Sequence, residues 1–335
     1  MLERKKLFNE NGDDSLQSQQ IVGGNSTGIL NLNNVKYSWV KPLFRKMLGD
    51  FWIPEKVSLV DDKVSVKNLS KEEDEAVRNT LSFLIFLDSI QVANLPNIAN
   101  YITDPAISNL IGVQDFQEII HSQSYQYILE GLYANSEREG IYDLWRNNPL
   151  LLQRNKFIAD QYEMFTDNPT VENFNKVLVA NFLLEGIYFY SGFNLFEQLA
   201  SRHKIVQSAQ VIAYIKRDEA NHLAIFTHLI NELMDTDKEK DWIIPMVVEA
   251  VEQEIAWGKQ TYGNNILGIS EKSTEDHIKY LGNRRLRALR LPEVFGDVMN
   301  PYLHLELADT KRENFFETTV TSYSKSEAVD GWDDF

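Results

Sequence analysis

Apolar residues recur along this chain at intervals of three and four, the spacing that lays one helix face against a core. The pattern predicts helices over roughly 38–49, 70–101, 105–135, 137–146, 149–166, 171–200, 205–235, 239–261 and 273–289. No segment alternates apolar and polar residues long enough for a strand. Some boundaries carry their own signals. Ser70 is followed three residues later by Glu73, a capping-box pair that opens a helix. Pro54 in "FWIPEKV" ends or redirects the chain after the first helix. Residues 8–34, rich in Asn, Gln, Ser and Gly, read as a flexible lead-in. The expectation is an all-α protein: a lead-in over 1–34, one helical domain over 35–315 and a flexible tail over 316–335.

One stretch changes the picture. "VLVANFLLEGIYFYSGFNLF" (177–196) is about as long as a membrane span. It contains Asn181, Glu185, Asn194 and two glycines, and it lacks basic flanks. That composition predicts a helix buried in the middle of a bundle. Glu185 is then a buried acid with no basic neighbour in sequence, costly unless something cationic lies against it.

Composition narrows the chemistry. The chain has 335 residues, 43% hydrophobic, enough for a large core, and a net charge of −16. Its one basic run, "RRLRALR" (284–290), has leucines at helical spacing and reads as a helix face. A nucleic-acid or anionic-membrane surface is therefore not expected. The start, "MLERKKLFNENGDD", has no apolar core of signal-peptide length, so a cytoplasmic location is expected. There is no cysteine, which excludes disulfides, thiolate zinc sites and cysteine nucleophiles. Any metal must be held by His, Asp and Glu, a donor set that suits iron or manganese better than structural zinc.

In "QEIIHSQSY", Glu118, His121 and Tyr125 fall at i, i+3 and i+7, one stripe of a helix that would ordinarily carry Leu or Ile. "RDEANH" repeats the Glu-x-x-His spacing with Glu219 and His222. A single such pair usually marks an exposed face; two among apolar neighbours are far more specific. Asp88 in "LIFLDSIQ" and Glu185 in "FLLEGIYF" each precede one pair by about a helix and a turn. Four helices thus each offer an acid to a shared interior, and two add a histidine. Two divalent cations would cancel the four negative charges and take one nitrogen each. This is the ligand set of the ferritin-like di-iron and di-manganese carboxylate bundles, with Asp88 in place of one glutamate. The expected fold is a ferritin-like helical bundle with additional helices. The remaining histidines, His203, His228, His277 and His304, lack such partners and read as surface or packing residues.

Tyr125 lies one turn past His121, about 6 Å along the axis. Phe189 and Phe193 follow Glu185 by one and two turns, and Ile215 precedes Glu219 by one. In antiparallel helices these offsets can converge into an apolar pocket that would shield a phenoxyl radical from water. The tail "TTVTSYSKSEAVDGWDDF" is small and acidic with isolated aromatics. It fits a peptide that docks into a partner's groove and a solubilising tail about equally.

With these motifs in order, the chain resembles the small, radical-generating subunit of class I ribonucleotide reductase from "FWIPEK" to the C-terminus. "FLDSIQ", "EIIHSQSY", "LLEGIYFYSGF" and "RDEANH" stand in family order and spacing. The resemblance implies that Asp88, Glu118, His121, Glu185, Glu219 and His222 hold two metal ions per chain, iron first and manganese as the alternative. It implies a radical on Tyr125 and an apolar surround of Phe189, Phe193 and Ile215. Trp52 and Asp218 match the internal radical-transfer chain; Asp218 could accept a hydrogen bond from Trp52 or from the non-ligating nitrogen of His121. Glu317 and Tyr323 match the glutamate and the exit tyrosine of the family's tail. A homodimer is implied, docked through that tail to a large catalytic subunit. Family chemistry reduces the ribonucleotide with cysteines, so a chain without any must deliver an oxidant to a partner that has them. No nucleotide-binding helical cone is evident in the first 37 residues, so allosteric control is expected on the partner.

Two other metal-binding readings compete. A ferritin-like oxidase or hydroxylase would need a substrate cavity beside the metals and has no use for the aromatic tail. A metal store leaves Trp52, Asp218 and Tyr323 unexplained. A metal-free helical scaffold would have to carry four buried acids uncompensated.

Overall fold

The computed structural model describes residues 1–305, so Glu317 and Tyr323 lie outside the described residues. Among the described residues eleven α-helices follow in order: α1 (Val40–Gly49), α2 (Asp62–Ser65), α3 (Lys71–Ala99), α4 (Pro105–Leu132), α5 (Asn135–Asn147), α6 (Pro149–Asp167), α7 (Val171–Leu183), α8 (Tyr190–Ser201), α9 (Val206–Leu233), α10 (Thr236–Thr261) and α11 (Glu271–Ala288). Among the described residues there is no strand, only one isolated bridge between Val22 and Ile102.

The helix starts follow local chemistry. Ser70 Oγ accepts from the Glu73 amide at 3.2 Å while Glu73 Oε2 accepts from the Ser70 amide at 2.8 Å, closing the expected capping box of α3. Asp104 caps α4 by accepting from the Ile107 amide at 2.9 Å, with Pro105 in the first turn. Asp62 is wholly buried and accepts from the Ser208 amide at 2.6 Å, satisfying the start of α9 from a distant segment.

Packing then sets the core. α3 lies along α4, α7 along α9, and α4 meets α9, so four long elements face one interior. α10 and α11 pack together over the junction between α7 and α8. The apolar stretch 177–196 is buried in this bundle except at Tyr190. One described helix, Lys71–Ala99, is long and apolar enough to cross a membrane, but its inward face carries Asp88 and packs on α4.

Two departures from the spacing-based expectation matter. The helix expected over 171–200 is broken by a π-helical turn, Leu184–Tyr188, between α7 and α8. Bonding of the i→i+5 type inserts a residue and changes the angular phase of everything after it, which heptad-like spacing cannot register. Residues 8–34, expected to be flexible, are tied to the bundle. Ile21 is buried and its carbonyl accepts from the Thr103 amide at 2.7 Å, while Gln19 Nε2 donates to the Asn34 carbonyl at 2.9 Å. The Asp14 carboxylate accepts from the Thr27 amide and the Ser26 hydroxyl. The polar residues that suggested disorder are spent in side-chain-to-backbone turns.

Candidate metal centre

The four central elements bring all six expected ligands together, each wholly buried. Two sets have potential ligand atoms within 4.8 Å of one another: Asp88, Glu118, His121 and Glu219, and Glu118, Glu185, Glu219 and His222. Glu118 and Glu219 belong to both sets and would be shared by two ions, whereas Asp88 with His121 and Glu185 with His222 would each serve one. The imidazole rings stand 5.6 Å apart between centroids.

Both histidines turn Nδ1 inward. His121 Nδ1 lies 3.2 Å from Glu118 Oε2 and 3.0 Å from Glu219 Oε1, and His222 Nδ1 lies 3.1 Å from Glu118 Oε1 and 2.8 Å from Glu219 Oε2. The outer nitrogens are held elsewhere. His121 Nε2 is 3.4 Å from Asp218 Oδ2, and His222 Nε2 is 3.0 Å from Gln117 Oε1. A hydrogen bond on the outer nitrogen fixes the tautomer that leaves Nδ1 free to ligate.

The residues fit a pair of divalent cations. Asp88 Oδ1 and Oδ2 and Glu185 Oε2 are buried without a normal hydrogen-bond donor. Buried carboxylate oxygens left this way are costly unless a cation meets them. The donors are all oxygen and imidazole nitrogen, which suits iron or manganese.

Protonation follows the same logic. Burial, reinforced by the charges of Glu118 and Glu219, pushes the Asp88 carboxyl well above the usual carboxylate range. Burial with Glu219 and Glu118 does the same to Glu185. For His121 and His222 burial is the largest influence and opposes the charge, yet the facing carboxylates together outweigh it and hold both far above the ordinary histidine range. Burial also opposes ionisation of Glu219, but the two histidines hold its carboxyl below the usual value. Without metal, protons therefore occupy the positions of the cations, and metal must displace them. Binding is expected to be tighter at about pH 8 than at about pH 6, with protons released as metal enters. Calorimetric titration in two buffers of different ionisation enthalpy measures that release. An affinity independent of pH, with no protons released, would contradict it.

The outer residues form two networks. On the His121 side, Trp52 Nε1 donates to Asp218 Oδ2 at 2.7 Å, the same oxygen that faces His121. The Trp52 ring stacks toward His121 at 6.3 Å and meets Tyr214 at 5.2 Å. Both contacts foreseen for Asp218 are thus made at once. Arg217 Nη2 holds the other Asp218 oxygen at 3.1 Å. Burial opposes ionisation of Asp218, but His121, Arg217 and Trp52 together keep its carboxyl below the usual value.

On the Glu185 side lies a network that sequence reasoning missed. Glu185 Oε1 accepts from Gln91 at 2.5 Å, Gln114 at 2.8 Å and Asn181 at 3.3 Å. Tyr162 donates to Gln91 Oε1 at 2.7 Å. A signal was present: Gln91, Gln114, Gln117 and Asn181 each lie three or four residues from an expected ligand in the same apolar stretch. Tyr162, from α6, had none.

Tyr125, Phe189, Phe193 and Ile215 are all wholly buried, and the Phe189 and Phe193 rings stack at 5.8 Å. Of the histidines set aside, His228 stacks on Trp39 at 4.6 Å and His277 meets Tyr302 edge-on at 5.0 Å, both packing roles.

Comparison with known proteins agrees with this geometry. The family model for the ribonucleotide reductase small chain matches residues 29–301. A ribonucleoside-diphosphate reductase subunit beta from Treponema pallidum is 41% identical, covering 98% of this chain and 97% of the relative. One from Halalkalibacterium halodurans is 33% identical, covering 99% of each. The solved ribonucleotide reductase R2 subunit from Clostridium botulinum superposes with a TM-score of 0.88 at 40% identity, covering 92% of this chain and 99% of that one. A ferritin-like bundle, a buried carboxylate–histidine cluster of dimetal type and a match over most of the chain's length converge on one conclusion: the chain belongs to the small-chain family of ribonucleotide reductase, an oxidoreductase.

Proposed function

We propose that this chain holds two metal ions on Asp88, Glu118, His121, Glu185, Glu219 and His222, generates a radical on Tyr125, and delivers it to a large subunit that reduces ribonucleotides. Iron is the proposed metal, and manganese is the alternative the same donors accept. When bound, the metals supply the one-electron oxidising power that Tyr125 needs.

One observation carries this reading. The Tyr125 hydroxyl is wholly buried and faces the Asp88 carboxylate at one end of the ligand set. Burial first, then the charges of Asp88, Glu219 and Glu118, push its pKa far above that of a free phenol. The side chain therefore stays protonated, and oxidation must remove a proton with the electron. Asp88 is the acceptor in reach. Phe189, Phe193 and Ile215 are proposed to keep water from the radical, supported by their complete burial.

The exit route is proposed to run through Asp218 and Trp52, supported by their 2.7 Å hydrogen bond beside His121. Beyond the described residues it continues through Glu317 and Tyr323 in a tail that docks to the large subunit. The chain contains no cysteine, so thiol chemistry on the nucleotide belongs to that partner. Its place of work is proposed to be the cytoplasm.

Metal-free protein loaded with Fe(II) and exposed to oxygen is expected to give a tyrosyl signal by electron paramagnetic resonance. If iron gives none, loading with Mn(II) and a reduced-flavoprotein source of oxidant is the second arm. Metal uptake with no radical in either arm would favour a store or an oxidase and end the proposal.

A homodimer is also proposed. Leu48, Phe51, Phe116 and Ile119 are exposed apolar residues near one another in the fold, with the Phe51 and Phe116 rings stacked at 6.0 Å. Such a patch is usually covered by a partner. Sedimentation velocity at micromolar concentration is expected to show a dimer, and a purely monomeric boundary would count against it.

A further inference from the structure

Glu185 is the one proposed ligand that does not sit on a regular α-helix. It stands in the π-helical turn Leu184–Tyr188, between α7 and α8. A π-turn is less favourable than the α-helix on either side of it, so it persists only where its surroundings hold it. Two buried arginines do so from outside. Arg285, on α11, donates from Nε to the Gly186 carbonyl at 2.8 Å, and Arg154, on α6, approaches the Tyr188 carbonyl with Nη2 at 3.4 Å.

The two contacts differ in kind. Arg154 is explained by its own ion pair with Glu254 and by stacking on Phe83 at 3.6 Å and Trp257 at 4.1 Å. Arg285 has no such account. It is buried, its guanidinium lies over the Tyr190 ring at 5.2 Å, and among the described residues no carboxylate lies within ion-pair distance of it. Burying a guanidinium without a counter-ion is costly, so what it does hold matters. What it holds, besides the Tyr190 side chain, is a backbone carbonyl one residue from a metal ligand.

The sequence makes room for this contact. A Cβ at position 186 would stand 2.7 Å from Arg285 Nε and 2.9 Å from Leu223 Cδ1, so any residue but glycine would force the guanidinium away. Gly186 does not need a positive φ. Its lack of a side chain is required for the approach of Arg285.

We infer that Arg285, admitted by Gly186, is a positioning residue that fixes the π-turn and so aims Glu185 into the Glu118–Glu185–Glu219–His222 set. The amides of Gln91, Gln114 and Asn181 orient the Glu185 carboxylate itself; Arg285 fixes the backbone that carries it. The other set, Asp88, Glu118, His121 and Glu219, has no ligand on this turn and does not depend on it. This rests on Glu185 being a ligand and not on where a radical forms.

The test uses full-length protein and Mn(II) as the probe. Arg285→Met removes the donor and keeps most of the bulk. It is expected to weaken the metal in the His222 set by about 10–100-fold, as loss of an outer support typically does, while the His121 set fills normally. At intermediate Mn(II), electron paramagnetic resonance should show an uncoupled single ion where the wild type shows a coupled pair. Amide hydrogen exchange of the metal-free variant should quicken across 184–189 and stay unchanged in α4.

Gly186→Ala should reproduce both effects through the clash. In the double variant the clash with Nε is gone and only that with Leu223 remains, so the two effects should be less than additive. If Arg285→Met does not fold, Gly186→Ala and Arg285→Lys carry the same readouts. Wild-type Mn(II) affinity and exchange in these variants would overturn the inference, and so would equal weakening of both metals. Glu185→Ala separates the levels: if it keeps two tight metals, the ligand reading itself has failed. If it loses one while Arg285→Met loses none, only the positioning role has failed.

Discussion

Tyr125→Phe is expected to eliminate the tyrosyl signal and all nucleotide reduction while leaving two metals bound. The change removes one oxygen from a wholly buried ring whose hydroxyl faces the Asp88 carboxylate. Packing volume is kept, so stability should change by no more than about 1 kcal/mol. The metal ligands are untouched, since Tyr125 belongs to neither ligand set. Elemental analysis should therefore report wild-type metal content, and thermal melting a wild-type transition. Of the fourteen tyrosines, several others are buried, including Tyr162 and Tyr188, and the experiment discriminates among them. Tyr162 donates to Gln91, and Tyr188 to Gln253 at 2.9 Å, so each is already committed to a protein acceptor. An undiminished radical signal in Tyr125→Phe would move the radical elsewhere.

Trp52→Phe should separate making the radical from using it. The indole donates to Asp218 at 2.7 Å from a segment remote in sequence, and phenylalanine keeps the ring but not the donor. Asp218 retains Arg217 and His121, so the metal side of the network should survive. The Tyr125 signal is then expected at wild-type intensity, with turnover alongside the large subunit reduced by at least about 1000-fold, or about 4 kcal/mol. Tyr323→Phe, at the proposed far end of the route, should give the same pair of results with normal binding to the large subunit. Deleting 330–335, which carries Trp332 and Phe335, should instead abolish that binding and spare the radical. Substantial turnover in either the Trp52 or the Tyr323 variant would show that the route runs elsewhere.

The proposed ligands were legible in the sequence because two rules acted together. Helical spacing puts Glu118 with His121, and Glu219 with His222, on single stripes, and apolar neighbours mark those stripes as inward-facing. An acid inside such a stripe must meet a cation, so counting charge alone suggested a metal pair. The capping box at Ser70 and the burial of 177–196 were equally local facts, set by residues near in sequence.

What the sequence could not decide depends on groups that meet only across the fold. The order of the lead-in depends on Ile21 finding Thr103 and on Asp14 finding Thr27, not on its polar composition. Asp218 had two candidate partners, and only the packing of α4, α9 and the Trp52 segment shows that it serves both. Tyr162 reaches Glu185's network from α6, with no spacing that ties it to a ligand. The π-turn is the clearest case. Residues 171–200 read as one uninterrupted helix, because intrinsic preference and apolar spacing are satisfied by an α-helix throughout. The extra residue in the turn is held by a guanidinium from α11, about a hundred positions away, and interactions between such distant positions leave no periodic trace in the chain.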